Sequence, residues 1–240
     1  MKTIIAITKR ELRNYFDSLI AYVMIVLFLG FSGFFTWIYG ADVFFQGQAS
    51  LRTFFATAYW TLFFFIPALT MKSIAEEKRS GTIELLLTKP VSDWQLIWGK
   101  FWANLFIILI ALVLTFPYVI TLAKIGNLDI GASFTGYIGL LLMSAAYIGI
   151  GIFASSISKN QIVAFLIALF IGLFFHIIFG VLAQSMNGVL GNIFYYLDIN
   201  THYESVARGV LDTKDLIYFL SITFVGLYLS TLSLSKRNMS

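Results

Sequence analysis

Two histidines, no cysteine and twelve carboxylates in 240 residues are a thin stock for catalysis or metal binding. His176 lies inside a long apolar run, where an ionisable side chain is a functional candidate by default. The simpler reading is a neutral histidine bonded to a neighbouring helix. His202 stands near Asp198, Glu204 and Asp212, but one histidine among scattered carboxylates lacks the ligand spacing of a zinc or copper site. No catalytic residue and no metal site is assigned. A phosphate-binding loop needs G-x-x-x-x-G-K-[ST], so that backbone amides and a lysine cradle the phosphates. Gly99-Lys100 lacks the earlier glycine and is followed by Phe101, so no nucleotide site is expected in this chain. The densest polar chemistry is Glu76, Glu77, Lys78 and Arg79, followed by Ser80-Gly81-Thr82 and Glu84. These are groups for docking rather than for making bonds.

The elements that carry them are set by composition. Hydrophobic residues make up 59% of the chain and charged ones 12%, against roughly a quarter charged in soluble domains. Apolar runs near Leu19 to Tyr39, Phe54 to Met71, Phe101 to Ala123, Phe134 to Ser156, Ile162 to Ala183 and Leu216 to Leu234 each match a bilayer core. In lipid such runs must be helices, because an unpaired backbone group there costs several kcal/mol. The first run is too long for a signal peptide and lacks a following cleavage site. The fold class expected is an all-α integral membrane bundle of six spans. Six spans put Lys2, Lys9, Arg10, Arg13, Lys72, Lys78, Arg79, Lys89, Lys100, Lys159, Lys236 and Arg237 on one side. Only Arg52, Lys124, Arg208 and Lys214 fall on the other. The first side, with both termini, is expected to be cytoplasmic.

Residues 1–18 read as an interfacial amphipathic helix, with Ile4, Ile5, Thr8, Leu12, Tyr15, Phe16 and Leu19 on one face; a disordered basic tail is the alternative. Residues 19–240 form the six-span domain. Within it, 72–100 is the long polar interruption on the cytoplasmic side. Gly81 permits a sharp turn, and Ser80 or Thr82 can cap a short helix carrying Glu84 and the apolar Ile83, Leu86 and Leu87, stopped by Pro90. Ser92 with Gln95 is a capping-box pattern opening span three. Such a pinned helix suits force transfer from a soluble partner; an ordinary headgroup-anchored loop is the alternative. Gly131, Thr135, Gly139, Ala145, Gly149, Gly151 and Ser155 let helices approach closely, inside the bundle or at a dimer seam. Pro67 and Pro117 predict kinks. The external segment 184–213 should form short helices near the outer interface, capping or gating the bundle, with Asp212 or Thr213 capping the final span.

Glu76 to Ser92, EEKRSGTIELLLTKPVS, resembles the signature that follows span two of ABC-2 type permeases. Gly149 to Ser156, Asn160 to Phe165 and Ser205 to Leu220 resemble the gliding-motility-associated permeases of Bacteroidetes. The resemblance implies an export-type permease subunit in the inner membrane, not itself an enzyme, resting on a cytoplasmic ABC ATPase through a coupling helix. Glu76, Glu77, Lys78, Arg79, Gly81, Thr82 and Glu84 would couple the two chains. It also implies a second permease chain, identical or different, with ATP and magnesium held by the ATPase and no nucleic-acid partner. A copper-related permease of nitrous oxide reductase maturation has the same layout. An autonomous channel or secondary transporter would want membrane-buried charges or paired broken helices, and a membrane enzyme would want clustered His, Glu or Asp.

Overall fold

The computed structural model describes residues 2–39, 47, 49–82 and 91–235. Among them the helices in chain order are α1 (Lys2–Asp17), α2 (Ile20–Trp37), α3 (Arg52–Thr70), α4 (Ala75–Ser80), α5 (Asp93–Val113), α6 (Phe116–Ile125), α7 (Ile130–Ile157) and α8 (Gln161–Leu173). A π-helical turn (Phe174–Ile178) follows, then α9 (Phe179–Ser185), α10 (Val189–Leu197), α11 (Ile199–Ala207) and α12 (Thr213–Ser235). Six stretches are long and apolar enough to cross a membrane: Ile20–Trp37, Arg52–Ser80, Asp93–Ile125, Ile130–Ile157, Gln161–Ser185 and Thr213–Ser235. The protein is a six-span, multi-pass membrane bundle. Its outer faces carry large apolar side chains such as Phe134, Phe170 and Ile217, each more than half exposed. Such a surface suits lipid and would be a liability in water.

Span four is the centre of the bundle. Helix α7 packs against α3, α5, α8, α11 and α12, and small residues set how close it comes. A Cβ on Gly151 would meet Thr70 of α3, one on Gly139 would meet Val206 of α11, and one on Gly149 would meet the Thr223 backbone of α12. All three approaches are within the chain, in line with packing inside the bundle. Ser92 Oγ accepts from the Gln95 amide and Gln95 Oε1 accepts from the Ser92 amide, so the capping box opens α5 as expected. Pro117 sits at the start of α6, where span three breaks after Val113, whereas Pro67 is held inside α3. The segment 184–213 forms the short helices α10 and α11, and Asp212 Oδ1 accepts the Lys214 amide at the start of α12 (3.1 Å).

Helix α1 departs from its expected face. It turns Ile7, Thr8, Glu11 and Tyr15 inward and leaves Ile5 exposed. The reason is its partner: α1 lies on α5 at Gly99, where a Cβ would come within 2.5 Å of Ile7. The approach is sealed by Thr8, whose hydroxyl reaches the Gly99 carbonyl at 3.1 Å. A buried carboxylate on this face needs a cation, and α5 supplies one.

Candidate functional site: a charged junction at the basic end

The charge cluster expected to lie in a loop is helical. Glu76, Glu77, Lys78 and Arg79 form α4, which continues span two after a short break, and Gly81 ends it in the left-handed conformation that glycine adopts without strain. Glu76, Arg79, Gly81 and Thr82 are exposed, whereas Glu77 and Lys78 turn towards the bundle. Glu84 and the helix expected over Ile83 to Lys89 lie outside the described residues.

Two anchors hold α4. On one side Lys100 of α5, 1% exposed, places its ammonium 2.8 Å from Glu77 Oε1 and 3.3 Å from Glu11 Oε1. Arg10 pairs with Glu11 and reaches Glu77 Oε1 at 3.4 Å. Two cations and two carboxylates thus join α1, α4 and α5. One turn along α1, the Tyr15 hydroxyl donates to Asn104 Oδ1 (2.9 Å) and lies 3.2 Å from the Leu69 carbonyl. Asn104 Nδ2 donates to the Lys100 carbonyl at 2.8 Å and to Ser73 Oγ at 3.3 Å. Burial pushes the Tyr15 phenol well up, so it remains a donor.

On the other side the end of α7 grips the break before α4. Ser155 Oγ accepts the amides of Ile74 (2.9 Å) and Ala75 (3.0 Å) and donates to the Met71 carbonyl at 3.0 Å. The Ser156 carbonyl accepts Lys78 Nζ, and also Ser233 Oγ of α12 at 3.1 Å. A six-residue helix is thereby clamped to spans two, three and four, with α12 one bond away. A recess of about 530 Å³ opens beside it, lined by Arg10, Tyr15, Glu76, Glu77, Thr82 and Lys100 among others.

Residues 36–208 match the family model described as ABC-2 family transporter protein. The chain belongs to the ABC-2 transporter family. It is therefore a membrane component of an ABC transporter, and membership implies a cytoplasmic ABC ATPase as partner. No curated protein matches the chain significantly.

In this permease, sequence reasoning missed Glu11, Lys100, Tyr15 and Asn104 as parts of the junction. The signal available was weak: one of two carboxylates in a basic helix, and a lysine 23 or more residues from any acid it meets. His202 was expected among Asp198, Glu204 and Asp212, but the structure pairs it elsewhere. Its Nδ1 lies 2.7 Å from Asp215 Oδ1, and its Nε2 donates to the Tyr196 carbonyl at 3.1 Å. The pair fastens α11 to the start of α12 because Asp198 is committed to capping α11 through the Asn200 and Thr201 amides. Among the described residues no group of three His, Asp or Glu side chains is placed to hold a metal ion.

The junction carries a pH signature. Burial alone would raise the Glu11 carboxyl, but the Lys100 charge and the Arg10 contacts outweigh it and hold it below its ordinary value of 4.5. A carboxylate with a depressed folded pKa stabilises the fold above the unfolded value and loses that contribution as pH falls through the folded one. The unfolding temperature of the purified permease should fall below pH 4.5, and Glu11→Gln should flatten that acid limb. An unchanged slope in the variant would remove Glu11 from the account.

Proposed function

We propose that this chain is the permease of an export-type ABC system, sitting in the inner membrane with both termini and the charged junction in the cytoplasm. It works beside a second permease chain, and its ATPase partner drives it through α4 and the segment that follows to residue 100. The observation that carries the proposal is the division of α4: Glu76 and Arg79 face outward while Glu77 and Lys78 are bonded into the bundle. A load applied to the exposed groups reaches spans two, three and four together through short, charge-assisted bonds. The gathering of basic residues at this end supports its cytoplasmic placement. From the resemblance to gliding-motility-associated permeases we infer that the work goes into surface secretion or force transmission.

The chain has no cysteine, so Thr82→Cys gives a single reporter. In complexes purified from native membranes it should cross-link to the ATPase subunit and change its yield on ATP addition. Arg79→Glu should lower ATPase recovery about tenfold, as placing like charges across an interface does. Recovery of folded Arg79→Glu with its full complement of ATPase would show that docking occurs elsewhere.

A further inference from the structure

A second chamber, of about 760 Å³, lies at the opposite end of the bundle from the junction, between α3, the start of α7, α9 and α11. Its floor is an aromatic stack. His176 lies nearly parallel to Tyr59 (4.1 Å, 16°) and Phe63 (4.2 Å, 16°), and Tyr203 stacks on Tyr59 at 4.8 Å. His176 sits within the π-helical turn, an irregularity frequent at functional positions. The ring is fixed by Tyr147, whose hydroxyl is 2.8 Å from Nδ1.

That contact sets the tautomer. The buried Tyr147 hydroxyl has no other hydrogen-bond partner among the described residues, so donating to Nδ1 satisfies both groups and leaves the proton on His176 Nε2. The reverse arrangement would strand a hydroxyl hydrogen as well. His176 Nε2 and the Tyr59 hydroxyl, both buried and both on side chains lining the chamber, have no partner among the described residues. At the rim, among the described residues, Arg52 makes no ion pair and the Arg208 side chain makes one contact, from Nε to the Glu204 carbonyl at 3.0 Å. Three carboxylates share the lining, each accepting at least one hydrogen bond. Asp198 accepts from Asn200 and Thr201, Asp129 from the Ala132 amide, and Glu204 from Asn200 Nδ2. The buried unpartnered groups of the lining are donors, N–H and O–H on an aromatic floor, with guanidinium at the mouth.

We propose that this chamber binds an amphiphile with an anionic, oxygen-rich head, a phosphate or carboxylate on a hydrocarbon body. The head takes bonds from Arg52, Tyr59 and His176, and the body lies along Trp60, which is about half exposed, and the apolar Ile177 and Val181. Buried donors left unpaired are costly, and an acceptor group relieves them. The site goes beyond the coupling reading and does not depend on it.

The test uses the full chain in phosphatidylcholine nanodiscs, without ATPase, so a negative result leaves coupling untouched. Trp60 fluorescence, taken as wild type minus Trp60→Phe, reports quenching by bromododecyl phosphate or bromododecyl trimethylammonium. Saturable quenching by the phosphate alone is expected. Tyr59→Phe removes only an unpartnered hydroxyl, so it should keep the wild-type unfolding temperature while weakening the phosphate about tenfold, and Arg52→Gln should weaken it similarly. Equal quenching by the ammonium compound, or unchanged affinity in both variants, would overturn the site. Competition by phosphatidylglycerol in the disc would identify the occupant as bilayer lipid, and its absence would identify a separate amphiphile; both results uphold the binding chemistry.

Discussion

Lys100→Ala should lower the unfolding temperature of the purified permease by on the order of 10 °C, which corresponds to a loss of about 3–5 kcal/mol for breaking a buried ion pair at one partner. The size follows from what remains. Lys100 is 1% exposed and is the cation closest to the Glu77 carboxylate, at 2.8 Å. Without it, the one cation left paired with Glu11 and Glu77 among the described residues is Arg10, whose side chain is 39% exposed and 3.4 Å from Glu77. One oxygen of Glu77 already has no partner among the described residues. Two carboxylates would then repel inside a buried interface. The companion variant separates charge from packing: Lys100→Met with Glu11→Gln and Glu77→Gln keeps the volume and removes every charge of the cluster but the part-exposed Arg10. It should recover most of the stability, since replacing a whole buried ion pair is often close to neutral. An unshifted unfolding temperature for Lys100→Ala would mean that the cluster is solvated and does not hold α4. The recovered triple variant should still couple poorly to the ATPase, because packing without charge lets α4 slide on α5.

The spans were legible because they depend on composition: runs of about twenty apolar residues can do little else than cross a bilayer. Local devices were legible too. The Ser92 and Gln95 pair lies within one turn, so its chemistry is written in spacing. The small residues of α7 were visible as a row, but not the neighbours they meet, because periodicity describes one helix and contact needs two. The same boundary runs through the junction. Glu77 and Lys78 stood out as members of a charge cluster, yet their inward turn depends on Lys100, Glu11 and Ser156, which arrive from α5, α1 and α7. Glu11 belongs to a basic helix and Lys100 to a span entrance, and neither position alone betrays a buried pair. His202 is the sharpest case. Sequence proximity favours Asp198 and Asp212, but helix capping uses both, and Asp215 on the following helix is left to meet the imidazole. The π-helical turn at Phe174–Ile178 has no pattern of its own; the rings that enclose His176 belong to α3, and α7 supplies the hydroxyl that fixes it.

Gly226→Leu should be at least as damaging as Lys100→Ala, at about 3 kcal/mol or more, although it touches no charge. Spans four and six meet at backbone distance: a Cβ on Gly226 would lie 2.5 Å from the Gly149 carbonyl carbon and 2.7 Å from its oxygen. Nothing there can rotate away, so the helices must part. Ordinary overpacking costs about 1–3 kcal/mol when side chains can give, and backbone cannot. Between helices in lipid there is no hydrophobic force to offset the loss, because close packing is itself what holds them. Gly139→Ala provides the comparison. Its Cβ would meet the Val206 side chain at 3.1 Å, which can shift, so its cost should stay below about 1 kcal/mol. Thermal unfolding in one detergent ranks the two, and equal unfolding temperatures would mean that the α7–α12 seam is looser than its geometry. The seam ends at the junction, where Ser233 of α12 bonds the same Ser156 carbonyl that receives Lys78. Prising α12 from α7 should therefore disturb the anchor of α4, and folded Gly226→Ala, which also places a Cβ against Gly149, should lose ATPase coupling before it loses its fold.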